Sequence, residues 1–241
     1  SDMIGCMSPA NINFLLENEP YLKGKNKIEI CPNSISPQEI YLDNYEKLDI
    51  RRKYGIPEDK VVFIYGGSLG VPQGIDFALS AVSASTVINE AYFVFVGGGT
   101  EKDKINNYIV DNNLKNAKLL EPLKKHEYEK LVSASDVGLV FLHHDCLAPN
   151  YPSRILTYMQ SGIPLLCATD TYTDVGCIAE QNGYGLWCES NCENQFVENV
   201  RDLCNKNVRL ELGKRAKEYL YENYTVEKTY EIIMKRVCVN E

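Results

Sequence analysis

Six short apolar runs, spaced by longer stretches with helical periodicity, constrain this chain more than any other feature. They are "VVFIYGG" (residues 61–67), "AYFVFVGGG" (91–99), "AKLLEP" (117–122), "VGLVFL" (137–142), "PLLCA" (164–168) and "GYGLWC" (183–188). Each is nearly continuous in apolar residues, so helices must cover both faces of the strand it forms. Strands alternating with helices in this way build a parallel sheet. Helices are expected at 75–89, 101–112, 126–134, 153–161 and 194–205, with "ELGKRAKEYLYENY" and "VEKTYEIIMKRV" closing the chain. The expected fold class is α/β, a Rossmann-like doubly wound parallel sheet.

Ahead of this sheet, "DMIGCMSPANINFLLENE" makes one strand and one helix. "KIEICPNSISPQEI" adds a short strand and a proline-bearing connector. The opening residues read as a strand already in progress, the last piece of a preceding domain. Neither an internal repeat nor a low-complexity tract is present.

Charge and cysteine usage narrow the function classes. A net charge of −8 over 241 residues argues against a nucleic-acid surface, which needs clustered Lys and Arg. The nine cysteines include no Cys-x-x-Cys pair, and several lie inside apolar strands. They read as reduced thiols in a cytosolic protein. "CESNC" and "HHDC" are the one grouping with metal-ligand character, and no metal is expected there. No apolar stretch approaches the ~20 residues of a membrane span, and no signal-peptide pattern opens the chain.

In an open parallel sheet, ligands bind at the carboxyl ends of strands. Three such ends carry unusual residues. In "YGGSLGVPQGID", Gly66, Gly67, Gly70 and Gly74 form either an anion cradle of backbone amides or a plain tight turn. In "FVGGGTEKDKI" the glycines read as a sharp strand-to-helix turn, with Gly98 at the edge of a ligand site. In "NYPSRILTYMQSG", Pro152 fixes the chain entering a helix and Ser153 is the expected N-cap. Arg154 then stands in a first turn that is already electropositive, at a cost of roughly 0.3–1 kcal/mol. Either it points into solvent, or it shares an anion such as a diphosphate with the first-turn amides, Ile155 among them. His143, His144 and Asp145 follow another strand on the same side, where His144 is placed for contact with a sugar rather than for acid–base chemistry.

The order "RRKYGIPEDKVVFIYGGSLGVPQGID", "FVFVGGGTEKDKI", "LLEPLKKHEYEKLVSASDVGLVFL", "PSRILTYMQSGIPLLCA", "IAEQNGYGLWCES" and "ELGKRAKEYLYENYTVEKTYEIIM" resembles the C-terminal, donor-binding half of a family 4 glycosyltransferase of the GT-B fold. It is most similar to the bacterial branch that builds O-antigen, capsule and exopolysaccharide, including N-acetylfucosaminyltransferases. The resemblance implies residues 1–33 as a remnant of the acceptor domain and hinge, with Pro32-Asn33 at the passage between domains. It further implies 34–60 as a connector, 61–222 as the donor-binding domain and 223–241 as a helix crossing back.

The activity so implied is retaining transfer of a sugar from a nucleotide diphosphate donor, a UDP-sugar, to a glycan or lipid-linked acceptor, in the cytoplasm or at the inner face of the membrane. No metal or other cofactor is implied. The donor site would comprise Gly67, Ser68, Gly70, Gln73 and Gly74, with Ser68 and Gln73 in place of the family's usual Arg and Lys. Pro152, Ser153 and Arg154 would stand for its Pro-Ser-Lys. Arg154 would then carry the charge of the departing diphosphate, the catalytic task. The family's paired glutamates match Pro149 and Thr157, which leaves Thr157 a single hydroxyl for ribose. Leu123 and Lys124 would lie along the base. A GT-B nucleotide-sugar epimerase and a non-catalytic nucleotide-sugar-binding relative are the alternatives.

Overall fold

The computed structural model describes residues 3–237 and contains two parallel sheets. The smaller pairs β1 (Ile4–Cys6) with β2 (Ile28–Ile30), and α1 (Pro9–Asn18) lies between them in the chain. The larger holds β3 (Val61–Ser68), β4 (Ala91–Gly98), β5 (Ala117–Leu120), β6 (Val137–Phe141), β7 (Leu165–Thr169) and β8 (Gly185–Glu189). All six apolar runs are strands, with ends within two residues of the expected bounds. The remaining helices are α2 (Asn44–Lys53), α3 (Ile75–Ala84), α4 (Lys102–Asp111), α5 (Lys125–Ser133), α6 (Arg154–Gln160), α7 (Val175–Gln181), α8 (Glu193–Leu203), α9 (Lys206–Asn223) and α10 (Val226–Val237).

The alternating pleat explains why the runs are apolar throughout. Val62 and Ile64 of β3 enter one core with Tyr158 and Met159 of α6. Phe63 and Tyr65 enter the other, with Leu79 and Val82 of α3 and Phe196 of α8. Each of these two cores is closed by helices, which shut the central strand positions off from water.

The larger sheet has the order β5-β4-β3-β6-β7-β8. The chain therefore builds outward from β3 on one side and then returns to β3's other edge, which makes β3 and β6 the switch point where a crevice opens. Pairing deepens that crevice. β3 pairs with β4 along its whole length, from Val61↔Ala91 to Ser68↔Gly98. With β6 it pairs only at Phe63↔Val137 and Ile64↔Gly138, and beyond Ile64 the two strands part.

The expected connector at 34–60 contains a helix, α2, opened by a capping box. The Asp43 carboxylate accepts from the Glu46 amide at 2.8 Å, and the Glu46 carboxylate accepts from the Asp43 amide at 2.9 Å. Arg51 of α2 then docks on the sheet, donating to the Ala134 carbonyl (2.8 Å), the Lys60 carbonyl (3.0 Å) and Asp136 Oδ2 (2.7 Å). The helix α7 was also not anticipated, and the expected helix 75–89 ends at Ala84 and continues as a 3-10 turn, Ser85–Val87. The first two residues of the expected opening strand and residues 238–241 of the expected last helix lie outside the described residues.

The smaller sheet is tied to the loops of the larger. The Ala10 amide donates to Asp174 Oδ2 at 2.9 Å, and Asn11 Nδ2 donates to the Pro149 carbonyl at 2.9 Å. Among the described residues, no helix is long and apolar enough to cross a membrane.

Candidate functional site

A cavity of about 840 Å³ lies at the carboxyl ends of β3 and β4, facing the loop that enters α6. Its floor and walls are the ends of β3 (Gly66, Gly67, Ser68) and β4 (Gly97, Gly98), with Pro122 and Leu123 ahead of α5. The loop entering α6 supplies Asn150 through Ser153, followed by Arg154 and Thr157 on the helix itself, while Met7 and Asn33 close it from the N-terminal segment. Lys125 and Arg154 bring positive charge, and among the described residues no Asp, Glu or His lines it. In a chain of net charge −8 that is a marked local reversal of sign.

Arg154 is held in the cavity wall. Its guanidinium carbon lies 4.3 Å from the centroid of the Tyr65 ring, a cation–π contact. A Cβ built on Gly67 would stand 3.4 Å from the same group, in contact with it, and the backbone there (φ 127°) is one that favours glycine. The Tyr65 hydroxyl donates to the Ser68 carbonyl at 2.9 Å, joining the arginine's support to the glycine loop. Arg154 Nη1 is buried with no hydrogen-bond partner. A buried charged donor left in that state costs at least ~1–3 kcal/mol, a cost that an anion would remove once the guanidinium turned this donor towards it. The reading in which Arg154 points into solvent is therefore set aside.

Two further tyrosines brace the end of β3. Tyr158, fully buried, lies across Gly138 of β6, where any side chain would collide with its ring. Its hydroxyl accepts from the Gly66 amide at 3.2 Å, which satisfies a donor that β6 no longer pairs. The Tyr128 ring fills the space a side chain on Gly66 would need, and its own hydroxyl is buried without a partner. Burial pushes both phenols well above their ordinary values, so they act as neutral groups. The same cause raises Tyr65, with Arg154 pulling it partly back.

The glycine triplet that ends β4, expected to make a sharp turn, packs against the backbone at the end of β3. A side chain on Gly97 would run into the Gly67 carbonyl, and one on Gly99 into the Leu69 carbonyl, so the triplet lets the β3 and β4 loops touch.

Several expected site residues lie elsewhere. Gly70, Gln73 and Gly74 do not line the cavity: the Gln73 carboxamide turns back to accept from the Gly70 amide at 3.1 Å, and Gly74 packs on the His143 backbone in a left-handed turn (φ 58°). Lys124 is an exposed residue ahead of α5, and Lys125 lines the cavity instead. His144 pairs with Asn191 at 3.2 Å, away from the cavity. That contact joins "HHDC" to "CESNC", yet the described residues contain no cluster of three or more His, Cys, Asp or Glu able to hold a metal.

Ser153 lines the cavity but does not cap α6. Its backbone is already helical (φ −64°, ψ −17°) and its hydroxyl makes no cap bond. The first-turn amides are consequently taken: Ile155 donates to the Pro152 carbonyl and Leu156 to the Ser153 carbonyl. Ile155 itself is buried in the core, and α6 has only seven residues, so the side chain of Arg154 rather than the helix end carries the charge. Tyr65, Tyr128 and Tyr158 were missed, because each reads in sequence as an ordinary apolar position of a strand or helix.

The model of the family described as glycosyl transferases group 1 matches residues 46–222, a stretch that includes the whole six-stranded sheet and its loops. The chain belongs to this family. This group 1 glycosyltransferase domain is 27% identical over 173 residues to the Pseudomonas aeruginosa protein named "Probable glycosyltransferase WbjE", a match covering 70% of this chain and 42% of that protein. The chain thus spans less than half the length of that relative. Among solved structures, HepE of Anabaena in complex with UDP and glucose superposes with a TM-score of 0.82 at 12% identity, over 99% of this chain and 63% of HepE. WaaG, a glycosyltransferase involved in lipopolysaccharide biosynthesis, superposes with a TM-score of 0.70 at 15% identity, over 95% of this chain and 60% of WaaG. The group 1 domain therefore has the α/β architecture of GT-B glycosyltransferases.

Proposed function

We propose that the cavity binds the nucleoside diphosphate of a sugar donor, a UDP-sugar, and that the protein carrying this domain transfers the sugar, with retention, to a glycan or lipid-linked acceptor of a cell-surface polysaccharide. The observation that carries this reading is the unpartnered Nη1 of Arg154, buried in the wall of a cavity that is free of lining carboxylates among the described residues. UDP bound to HepE, and the lipopolysaccharide role of WaaG, support the donor and the product class.

In this reading residues 61–222 form the donor domain, and residues 1–33 belong to the acceptor side, contributing Met7 and Asn33 to the cavity rim. Arg154 stabilises the charge that gathers on the departing diphosphate, which lowers the barrier more than it favours the bound donor. Thr157 and Leu123 flank the nucleoside. A GT-B epimerase would need acid and base groups at the sugar, and neither a carboxylate nor an imidazole lines the cavity among the described residues. Sugar transfer, in which the diphosphate itself can take the acceptor proton, fits such a lining better.

Arg154→Ala is the direct test. Calorimetric titration with UDP is expected to show affinity reduced by about tenfold to a hundredfold, the worth of a charge-assisted hydrogen bond. Unchanged UDP affinity in a folded variant would remove Arg154 from the site.

A further inference from the structure

We infer that Tyr65 is a positioning residue for anion binding: its ring holds the Arg154 guanidinium in the cavity wall, and its hydroxyl ties that placement to the conformation of the glycine loop. The inference rests on the donor-site reading above. Tyr65 is fully buried in β3, where its ring covers the guanidinium and its hydroxyl, also within the influence of Arg154, reaches the glycine loop. The ring face lies 4.3 Å from the guanidinium carbon, while the hydroxyl donates to the Ser68 carbonyl at 2.9 Å. Ser68 and Gly67 line the cavity beside Arg154, so one side chain spans both partners of the proposed diphosphate.

Among the described residues Arg154 makes no salt bridge, and its Nη1 has no hydrogen-bond partner. A carboxylate in its place would neutralise the cation and compete with the ligand. An aromatic face instead orients the planar guanidinium while leaving its edge donors free for phosphate oxygens. Tyr65 therefore supplies attraction without consuming the hydrogen-bonding capacity that the ligand needs.

The test separates the phosphate from the rest of the ligand. UDP and uridine are titrated against the whole chain as wild type, Tyr65→Phe, Tyr65→Leu and Arg154→Lys. Tyr65→Phe keeps the ring and loses only the tie to the Ser68 carbonyl, so it is expected to lower UDP affinity about threefold, whereas Tyr65→Leu is expected to lose about tenfold or more. Uridine affinity is expected to stay within about twofold throughout, which a general loss of structure would not produce. In the Arg154→Lys background, where no planar guanidinium remains to stack, Tyr65→Leu is expected to add little further loss. Equal losses for UDP and uridine, or full UDP affinity in a folded Tyr65→Leu, would overturn the inference.

Two controls keep the test decisive. If Tyr65→Leu does not fold, 3,4,5-trifluorophenylalanine at position 65 weakens the ring face at nearly constant shape and is expected to lower UDP affinity below that of Tyr65→Phe. If the wild type binds no UDP, the donor-site reading fails by itself. The support of Arg154 is then judged from its side-chain Nε–H resonance, which should carry a ring-current shift that Tyr65→Leu abolishes. Absence of that shift overturns the positioning role.

Discussion

At the scale of residues, the site depends on pairs in which one partner is small so that the other can be large. Gly66 accommodates Tyr128, Gly138 accommodates Tyr158, and Gly97 accommodates the Gly67 carbonyl. Gly97→Ala is therefore expected to lower stability by about 1–3 kcal/mol and to weaken UDP binding with it, since the β3 loop must move away. A thermal melt within about 1 °C of wild type would refute that expectation. Part of this was legible in the sequence. Arg154 stood out because nothing in its own helix turn offset its charge, and the glycines marked where strands become loops. The tyrosines did not stand out, since a phenol inside an apolar run reads as core until the ring is seen beneath a cation. Ser153 and Gln73 misled for a related reason: their side chains are suited to a cap and a ligand contact, but local backbone geometry gave Ser153 a helical conformation and turned Gln73 onto Gly70.

At the scale of elements, two-sided burial made the six strands readable, because a strand covered on both faces has few positions, mostly at its ends, at which polarity is tolerated. The same rule hid α2. That helix is largely polar, and it is attached less by an apolar face than by Arg51, whose three hydrogen bonds reach Ala134, Lys60 and Asp136. Asp136 also accepts from the Val62 amide at 2.8 Å, so this one carboxylate joins α2 to the base of β3. Asp136→Ala is expected to cost about 2–3 kcal/mol in urea unfolding, as both Arg51 and the Val62 amide lose their acceptor. A loss below about 0.5 kcal/mol would show that α2 is held by other contacts. The signal for α2 was present as the Asp43 and Glu46 capping box, which periodicity alone does not detect.

At the scale of the whole molecule, strand order was not legible from apolar periodicity, which identifies strands without saying which of them are neighbours. The order is read from the pairing of the six strands. The placement of the N-terminal unit was less accessible still, because it depends on single bonds between distant residues. The Ala10 amide on Asp174 is one of these, and Asp174→Ala is expected to speed hydrogen exchange at Ala10 by about tenfold while leaving the exchange of β3 amides unchanged. Equal protection at Ala10 in both proteins would show that this bond does not hold the unit in place. The parting of β3 from β6 after Ile64 has a consequence for variation among related chains. Each residue by which two parallel strands separate earlier or later moves the floor of the crevice by about 3.3 Å, roughly half the length of a pyrophosphate. Changes in the extent of strand pairing can therefore set how deep a ligand sits, with no change to any residue that touches it.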